Sequence, residues 1–103
     1  MKYTINGKEY SEFDINKRCA ELMGVTVEVK GGTHKYLDKD QDDEYAPCTS
    51  WQAAGPIIEK CWDDLMCTDE WGDVNYPRWE SLIIVHNCTK LVAACICLIE
   101  TNQ

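Results

Sequence analysis

The pattern of apolar and polar positions first predicts a helix near the start of the chain. Apolar residues recur at helical spacing up to Met23, and Ser11 and Asp14 stand ahead of them with the spacing of a capping box. Gly24 follows, at the point where a helix often ends in the left-handed conformation that glycine adopts without steric cost. The sequence therefore predicts a helix over residues 11–23.

Two short strands and a polar loop are predicted next. Residues 25–29 alternate between apolar and polar side chains and are rich in β-branched residues, which is the pattern of a half-buried strand. A turn at Gly31 and Gly32 allows residues 33–37 to return as the antiparallel partner. Residues 38–44 are polar throughout and predict a loop.

A second helix is predicted to begin at Thr49 and Ser50, where the spacing again fits a capping box. Its apolar positions continue to Leu65. Gly55 and Pro56 interrupt the pattern, because a proline inside a helix removes a hydrogen bond and kinks the chain. One kinked helix and two short helices are both compatible with this segment.

The remaining segments predict a loop, a strand and a closing helix. Residues 71–78 contain glycine and proline and predict a loop, whereas residues 79–85 are apolar and end in β-branched side chains, which is typical of a strand. Residues 89–100 predict a helix that is apolar on nearly all sides, and such a helix is expected to be buried. The order α-β-β-α-β-α predicts a single small α+β domain over residues 1–103, with a short antiparallel sheet packed against about three helices and the closing helix packed under that sheet.

Three segments carry a resemblance to a known family. Residues 45–60, with the sequence YAPCTSWQAAGPIIEK, resemble the central motif of the phage NinX-like family, small proteins carried by tailed phages and prophages. Residues 11–24 are similar to the family's opening helix, and residues 87–100 to its closing apolar helix, although Cys88, Thr89 and Lys90 replace part of the usual opening of that helix. The resemblance implies a phage accessory protein that acts in the bacterial cytoplasm, and it brings no catalytic residues.

The net charge of −8 argues against ordinary binding to the nucleic-acid backbone, which requires Lys and Arg facing the phosphates. The longest apolar run, residues 91–99, has nine residues and is too short to cross a bilayer. The first residues lack the apolar stretch of a signal peptide. We therefore expect a cytoplasmic protein of the bacterial host cell that contacts neither membrane nor nucleic-acid backbone.

The negative charge is concentrated in one part of the sequence. Residues 38–73 contain 11 acidic and two basic residues, a local balance of −9, whereas the rest of the chain sums to +1. This pattern fits solvated loops, and it also fits a negative face presented to the basic groove of a partner. In the second interpretation, carboxylates at phosphate-like spacing would fill a nucleic-acid channel of a host nuclease or surveillance complex.

The expected partner is a host protein or nucleoprotein complex. The residues expected to contact it are the carboxylates of two acidic blocks and three neighbouring aromatic residues: Asp38, Asp40, Asp42, Asp43, Glu44, Asp63, Asp64, Asp69, Glu70, Asp73, Trp71, Tyr76 and Trp79. The aromatic residues either cover the core or anchor the partner, because Trp and Tyr dominate interface hot spots.

Seven cysteines suggest a second kind of chemistry. Their number is odd and four of them fall within apolar or helical patterns, so buried thiols are expected rather than disulfides. The alternative function is a metal-binding or thiol-dependent enzyme that uses Cys61, Cys67, His86 and Cys88. The close Cys pair typical of a structural zinc site is missing from the sequence. We therefore expect a binding protein without metal or cofactor, and not an enzyme.

Overall fold

The computed structural model describes residues 2–25, 27–30, 35–38, 43–44, 46–71 and 74–102, with side chains described for residues 2–25, 46–68 and 77–102. The chain begins with a hairpin of β1 (Lys2–Ile5) and β2 (Lys8–Ser11). Its turn is formed by Asn6 and Gly7, whose φ angles of 50° and 82° are those that a tight hairpin turn requires. Sequence reasoning missed this hairpin, although the Asn-Gly pair is its strongest local signal.

The first predicted helix is confirmed as α1 (Glu12–Met23). The Ser11 hydroxyl accepts a hydrogen bond from the Asp14 amide, and the Ser11 amide donates to the Asp14 carboxylate, both at 3.1 Å. Gly24 ends the helix with a φ angle of 72°, and its amide donates to the carbonyls of Ala20 and Glu21. Both ends of α1 are thus formed by the local residues from which they were predicted.

The two predicted strands pair as expected. β3 (Val27–Lys30) and β4 (Lys35–Asp38) are antiparallel, and a third strand, β5 (Asp43–Glu44), pairs with the other edge of β4. The prediction that residues 38–44 form a loop is therefore wrong for Asp38, Asp43 and Glu44, because these residues belong to strands. The predicted turn at Gly31 and Gly32 lies outside the described residues, as do residues 39–42.

The predicted second helix is divided into α2 (Trp51–Lys60) and α3 (Trp62–Met66). The Ser50 hydroxyl caps α2 by accepting from the Ala53 amide at 3.4 Å. The break falls at Cys61 and not at Gly55 and Pro56, since α2 runs through the proline. The two helices meet at Cys61, whose amide donates to the carbonyl of Ile57 in α2 and whose carbonyl accepts from the amide of Leu65 in α3.

The next segment differs from its prediction. β6 (Thr68–Trp71) and β7 (Val74–Pro77) form an antiparallel hairpin where a loop was expected, and α4 (Arg78–His86) replaces the expected strand over residues 79–85. The β-branched residues of α4 suggested a strand, but Leu82 is buried while Trp79, Ile83 and His86 are half-buried. These four positions follow helical spacing, and packing of that face overrides the intrinsic strand preference.

The closing helix is confirmed as α5 (Lys90–Thr101), in which residues 91–99 are all buried. It contacts α1, α2 and α4 and also touches β1, so its surroundings are mainly helical rather than the short sheet that was expected. Across the described residues no single helix is long and apolar enough to cross a membrane, and α4 and α5 meet those criteria only together, across a bend of 104°. The α+β class is confirmed, and the predicted order recurs with extra elements added to it.

Candidate partner-binding surface

The first acidic block lies on the sheet formed by β3, β4 and β5. Asp38 of β4 is the cross-strand partner of Asp43, and Glu44 of β5 is the partner of Leu37. Two further carboxylates of this block, Asp40 and Asp42, lie outside the described residues. The sheet contacts α1 through β4.

The second acidic block lies on a different part of the fold. Asp63 and Asp64 occupy the first turn of α3 and are exposed, where carboxylates interact favourably with the helix dipole. The hairpin that follows carries Asp69, Glu70 and Trp71 on β6 and Tyr76 on β7, with Asp69 directly across from Tyr76. The last acid of this block, Asp73, lies outside the described residues.

Local contacts hold α3, the hairpin and α4 together. The amide of Arg78 at the start of α4 donates to the carbonyl of Cys67, which directly follows α3, at 2.7 Å. α4 contacts α3 as well as β6 and β7. The second acidic block is therefore carried by consecutive elements in mutual contact, separate from the sheet that carries the first block.

Trp79 is the remaining residue that was predicted to contact the partner, and part of its side chain is occupied by contacts within the fold. Its indole N–H donates to the carbonyl of Lys90 at 2.8 Å, and the Lys90 ammonium lies 5.5 Å from the ring centroid. The half-buried ring also packs against the core. Trp79 thus joins the start of α4 to the start of α5 and leaves only part of its surface exposed.

Exposed apolar side chains on α2 and α3 form a surface that sequence reasoning missed. Trp51 is 60% exposed, Trp62 is 51% exposed and Met66 is 38% exposed, while Ile58 is half-buried between them. With about 3.6 residues per turn, these four positions fall on one side of the helices. We call this row the α2–α3 stripe.

The α2–α3 stripe runs beside the row that faces the core. That inner row consists of four buried residues at helical spacing: Ala54, Ile57, Cys61 and Leu65. The exposed row could have been predicted from the sequence. Two adjacent rows of apolar residues make a face that is wider than one helix needs for its contact with a core, so part of that face is left exposed. Which of the two rows is buried depends on the packing of α2 and α3 against α4 and α5.

Carboxylates flank the outer edge of the α2–α3 stripe. Glu59 and Asp63 are exposed, lie four residues apart and follow Ile58 and Trp62 in sequence, so they form a row next to the stripe. Within the part of the chain whose side chains are described, neither carboxylate forms an ion pair. The surface therefore combines large exposed apolar groups with negative charge on one side.

The comparison with known families agrees with the resemblance seen in the sequence. The family model described as Bacteriophage P22, NinX matches residues 8–101. The chain belongs to this phage family. Among curated proteins and among solved structures, none matches the chain. The NinX match includes the whole of the α2–α3 stripe, the β6–β7 hairpin and α5.

The four residues of the alternative, enzymatic site of this NinX-family chain do not converge. Cys61 is buried against α5, and Cys67 is exposed at the end of α3. His86 lies 3.9 Å from the Glu100 carboxylate, and Cys88 donates from its thiol to the carbonyl of Leu82 at 3.7 Å. Throughout the described ranges, His, Cys, Asp and Glu form no group of three or more that is arranged to hold a metal ion.

The cysteines of this NinX-family chain are free thiols that mostly belong to the core. Cys19, Cys48, Cys61, Cys95 and Cys97 are buried, which confirms the prediction of buried thiols for the four in apolar or helical patterns. Hydrogen bonds with Cys19 and Cys48 raise the pKa of Cys95, and burial raises it further by a smaller amount. The contact between Cys61 and Cys97 lowers the pKa of Cys61 and raises the pKa of Cys97. All five of these thiols therefore pack in contact with another thiol in the core, as small apolar groups.

A cleft of about 580 Å³ lies between β2 and α1 of the same chain. It is lined by three basic and three acidic side chains together with Tyr10. Arg18 and Glu21 form an ion pair at 2.9 Å, and Lys8 lies 5.6 Å from the Tyr10 ring centroid. Because its charges balance, the cleft favours neither an anionic nor a cationic ligand.

Proposed function

We propose that this phage protein binds a host protein or nucleoprotein complex in the bacterial cytoplasm and modulates or inhibits it, without catalysing a reaction itself. The observation that carries the proposal is the combination on α2 and α3 of exposed Trp51 and Trp62 with exposed Asp63 and Asp64. Tryptophan is enriched at the centres of protein interfaces, where its burial contributes much of the binding free energy.

The charge of the chain indicates the kind of partner. Residues 38–73 carry a balance of −9, and β6 with α3 holds the described backbone positions of the second acidic block. Such a surface attracts a basic groove and speeds encounter with it even where charge adds little net affinity. A host defence complex whose nucleic-acid channel is basic is the partner class that this charge favours.

The proposal is tested by capture from a nuclease-treated lysate of the host bacterium, with bound proteins identified by mass spectrometry. The wild type is compared with Asp63→Lys and with Glu80→Lys. Both acids are exposed and lie in the first turn of a helix, Asp63 in α3 and Glu80 in α4. The two substitutions therefore make the same change in net charge, and each places a positive charge at the N-terminal end of a helix.

We expect one stoichiometric basic partner that is lost with Asp63→Lys, retained with Glu80→Lys and weakened by salt. A partner retained equally by both variants would show that the acidic surface of α3 is not the binding surface. Failure of the wild type to capture any stoichiometric partner at low salt would reject the proposed function.

A further inference from the structure

The α2–α3 stripe has the length of a helix-binding site. It runs from Trp51 on α2 to Met66 on α3, and at about 1.5 Å per residue it spans at most roughly 22 Å, or about four helical turns. The inner row of α2 and α3 already fills the contact with the core, so the exposed rings of Trp51 and Trp62 are not required there. Large apolar groups that the core does not use and that lie side by side on the surface are typical of a protein interaction surface.

The two flanking carboxylates restrict what can cover the stripe. Glu59 and Asp63 repeat at the four-residue spacing of Ile58 and Trp62, and like charges at this spacing slightly destabilise an isolated helix. A second copy of the chain would bring the same carboxylates against each other. An anionic membrane surface or a nucleic acid would bring phosphates against them. The charge of the stripe therefore favours an occupant with Lys or Arg beside its apolar side chains.

The shape of the surface favours a helix over an extended peptide. An extended peptide is usually bound by pairing with the free edge of a sheet, whereas α2 and α3 are helices and offer no strand edge to such a peptide. A helix presents apolar and basic side chains in parallel rows at three- and four-residue spacing, which is the arrangement of the apolar and acidic rows here.

We propose that the α2–α3 stripe binds a basic amphipathic helix of the partner, with Trp51, Trp62 and Met66 against its apolar row and Glu59 and Asp63 against its Lys or Arg row. This inference rests on the proposed function and deepens it, because it names the structural element that the host partner contributes. The row of acids then sets the orientation and the salt dependence of binding, while the tryptophans supply most of the affinity.

The experiment uses the full chain and a fluorescently labelled synthetic helix of 18 residues in which leucine and lysine follow helical spacing. Fluorescence anisotropy measures binding at low and moderate salt. A peptide with glutamate in place of lysine tests the charge, and a peptide of the same leucine and lysine composition in scrambled order tests the helical arrangement. Circular dichroism and the urea midpoint confirm that each protein variant is folded.

We expect the leucine–lysine helix to bind and the other two peptides to bind at least about tenfold more weakly. Trp62→Ser and Trp51→Ser should each weaken binding at least about tenfold, as expected for hot-spot residues. Asp63→Lys should weaken it about fivefold at low salt and less at moderate salt. Two matched changes on α4, Ile84→Ser and Glu80→Lys, should leave it within about twofold, since Ile84 and Glu80 are exposed on another helix.

Equal loss with the α4 variants, equal binding of the scrambled peptide, or no binding of the leucine–lysine helix would overturn the inference. The lysate capture separates this result from the proposed function. If the double variant Trp51→Ser with Trp62→Ser still captures a host partner that Asp63→Lys loses, the acidic surface binds the partner and the stripe does not. If the double variant loses the partner, the stripe is part of the interface.

Discussion

The closing helix α5 and the pair α2–α3 are both rich in apolar residues, yet they use them in opposite ways. Residues 91–99 of α5 are all buried, because α1, α2 and α4 surround it. α2 and α3 bury one row of side chains and leave Trp51, Trp62 and Met66 exposed beside it. Apolar residues at helical spacing can thus form either a core or an exposed surface, and the packing of the neighbouring elements determines which.

The largest expected difference between the two regions is in stability. Leu98 of α5 is fully buried, so Leu98→Ala should lower the free energy of unfolding by about 2–5 kcal/mol, the usual cost of a cavity. Trp62→Ala removes a larger side chain that is 51% exposed, and should lower it by clearly less, about 1 kcal/mol. Urea unfolding followed by circular dichroism measures both. A Trp62→Ala variant as unstable as Leu98→Ala would mean that the stripe belongs to the core.

The sequence predicted the elements whose signals are local. α1 was predicted from Ser11, Asp14 and Gly24, which form its two ends, and α5 from an apolar run too continuous to belong on a surface. The concentration of acids in residues 38–73 was also visible, but not its division between the β3–β5 sheet and the consecutive elements α3 and β6.

Elements whose form depends on distant contacts were not predicted correctly. α4 was assigned as a strand because its residues Ile83, Ile84 and Val85 are β-branched, although packing against α5 makes the segment helical. The exposure of Trp62 was missed for a related reason. The pattern of α2 and α3 offers two adjacent apolar rows, and only the position of α4 and α5 determines which row is buried.

The helix caps of the two regions should differ in strength. Ser11 at α1, which packs on α5, forms a capping box with two hydrogen bonds of 3.1 Å, whereas Ser50 at α2 accepts a single bond of 3.4 Å. Ser11→Ala should therefore lower the free energy of unfolding by about 1–2 kcal/mol, and Ser50→Ala by about 0.5–1 kcal/mol. Urea unfolding at neutral pH compares them. If Ser50→Ala lowers the free energy of unfolding as much as Ser11→Ala does, the two caps do not differ in strength.

The capping box also gives an acid dependence. The backbone hydrogen bond from Ser11 lowers the pKa of Asp14 below its ordinary value of 3.8. A lowered pKa in the folded state contributes stability that is present above pH 3.8 and is lost as the pH falls through the folded-state value. The difference between wild type and Asp14→Asn should therefore shrink below pH 3.8, and a difference that is constant down to pH 2 would exclude this contribution.

The last comparison distinguishes the thiols of the two regions at alkaline pH. Burial raises the pKa of Cys88, at the junction of α4 and α5, from 9.0 to about 11. A raised pKa in the folded state contributes stability that is fully present below pH 9.0 and is lost as the pH rises towards 11, because the unfolded chain releases the proton first. Cys88→Ala should therefore lose less stability than the wild type over this interval, as measured by urea midpoints at successive pH values.

The control variant is Cys67→Ala, which removes an exposed thiol at the end of α3 and should lose as much stability at alkaline pH as the wild type does. If Cys67→Ala reduces the loss of stability at alkaline pH as much as Cys88→Ala does, that loss does not come from burial of the Cys88 thiol. The buried and the exposed cysteine would then not differ in their effect on stability.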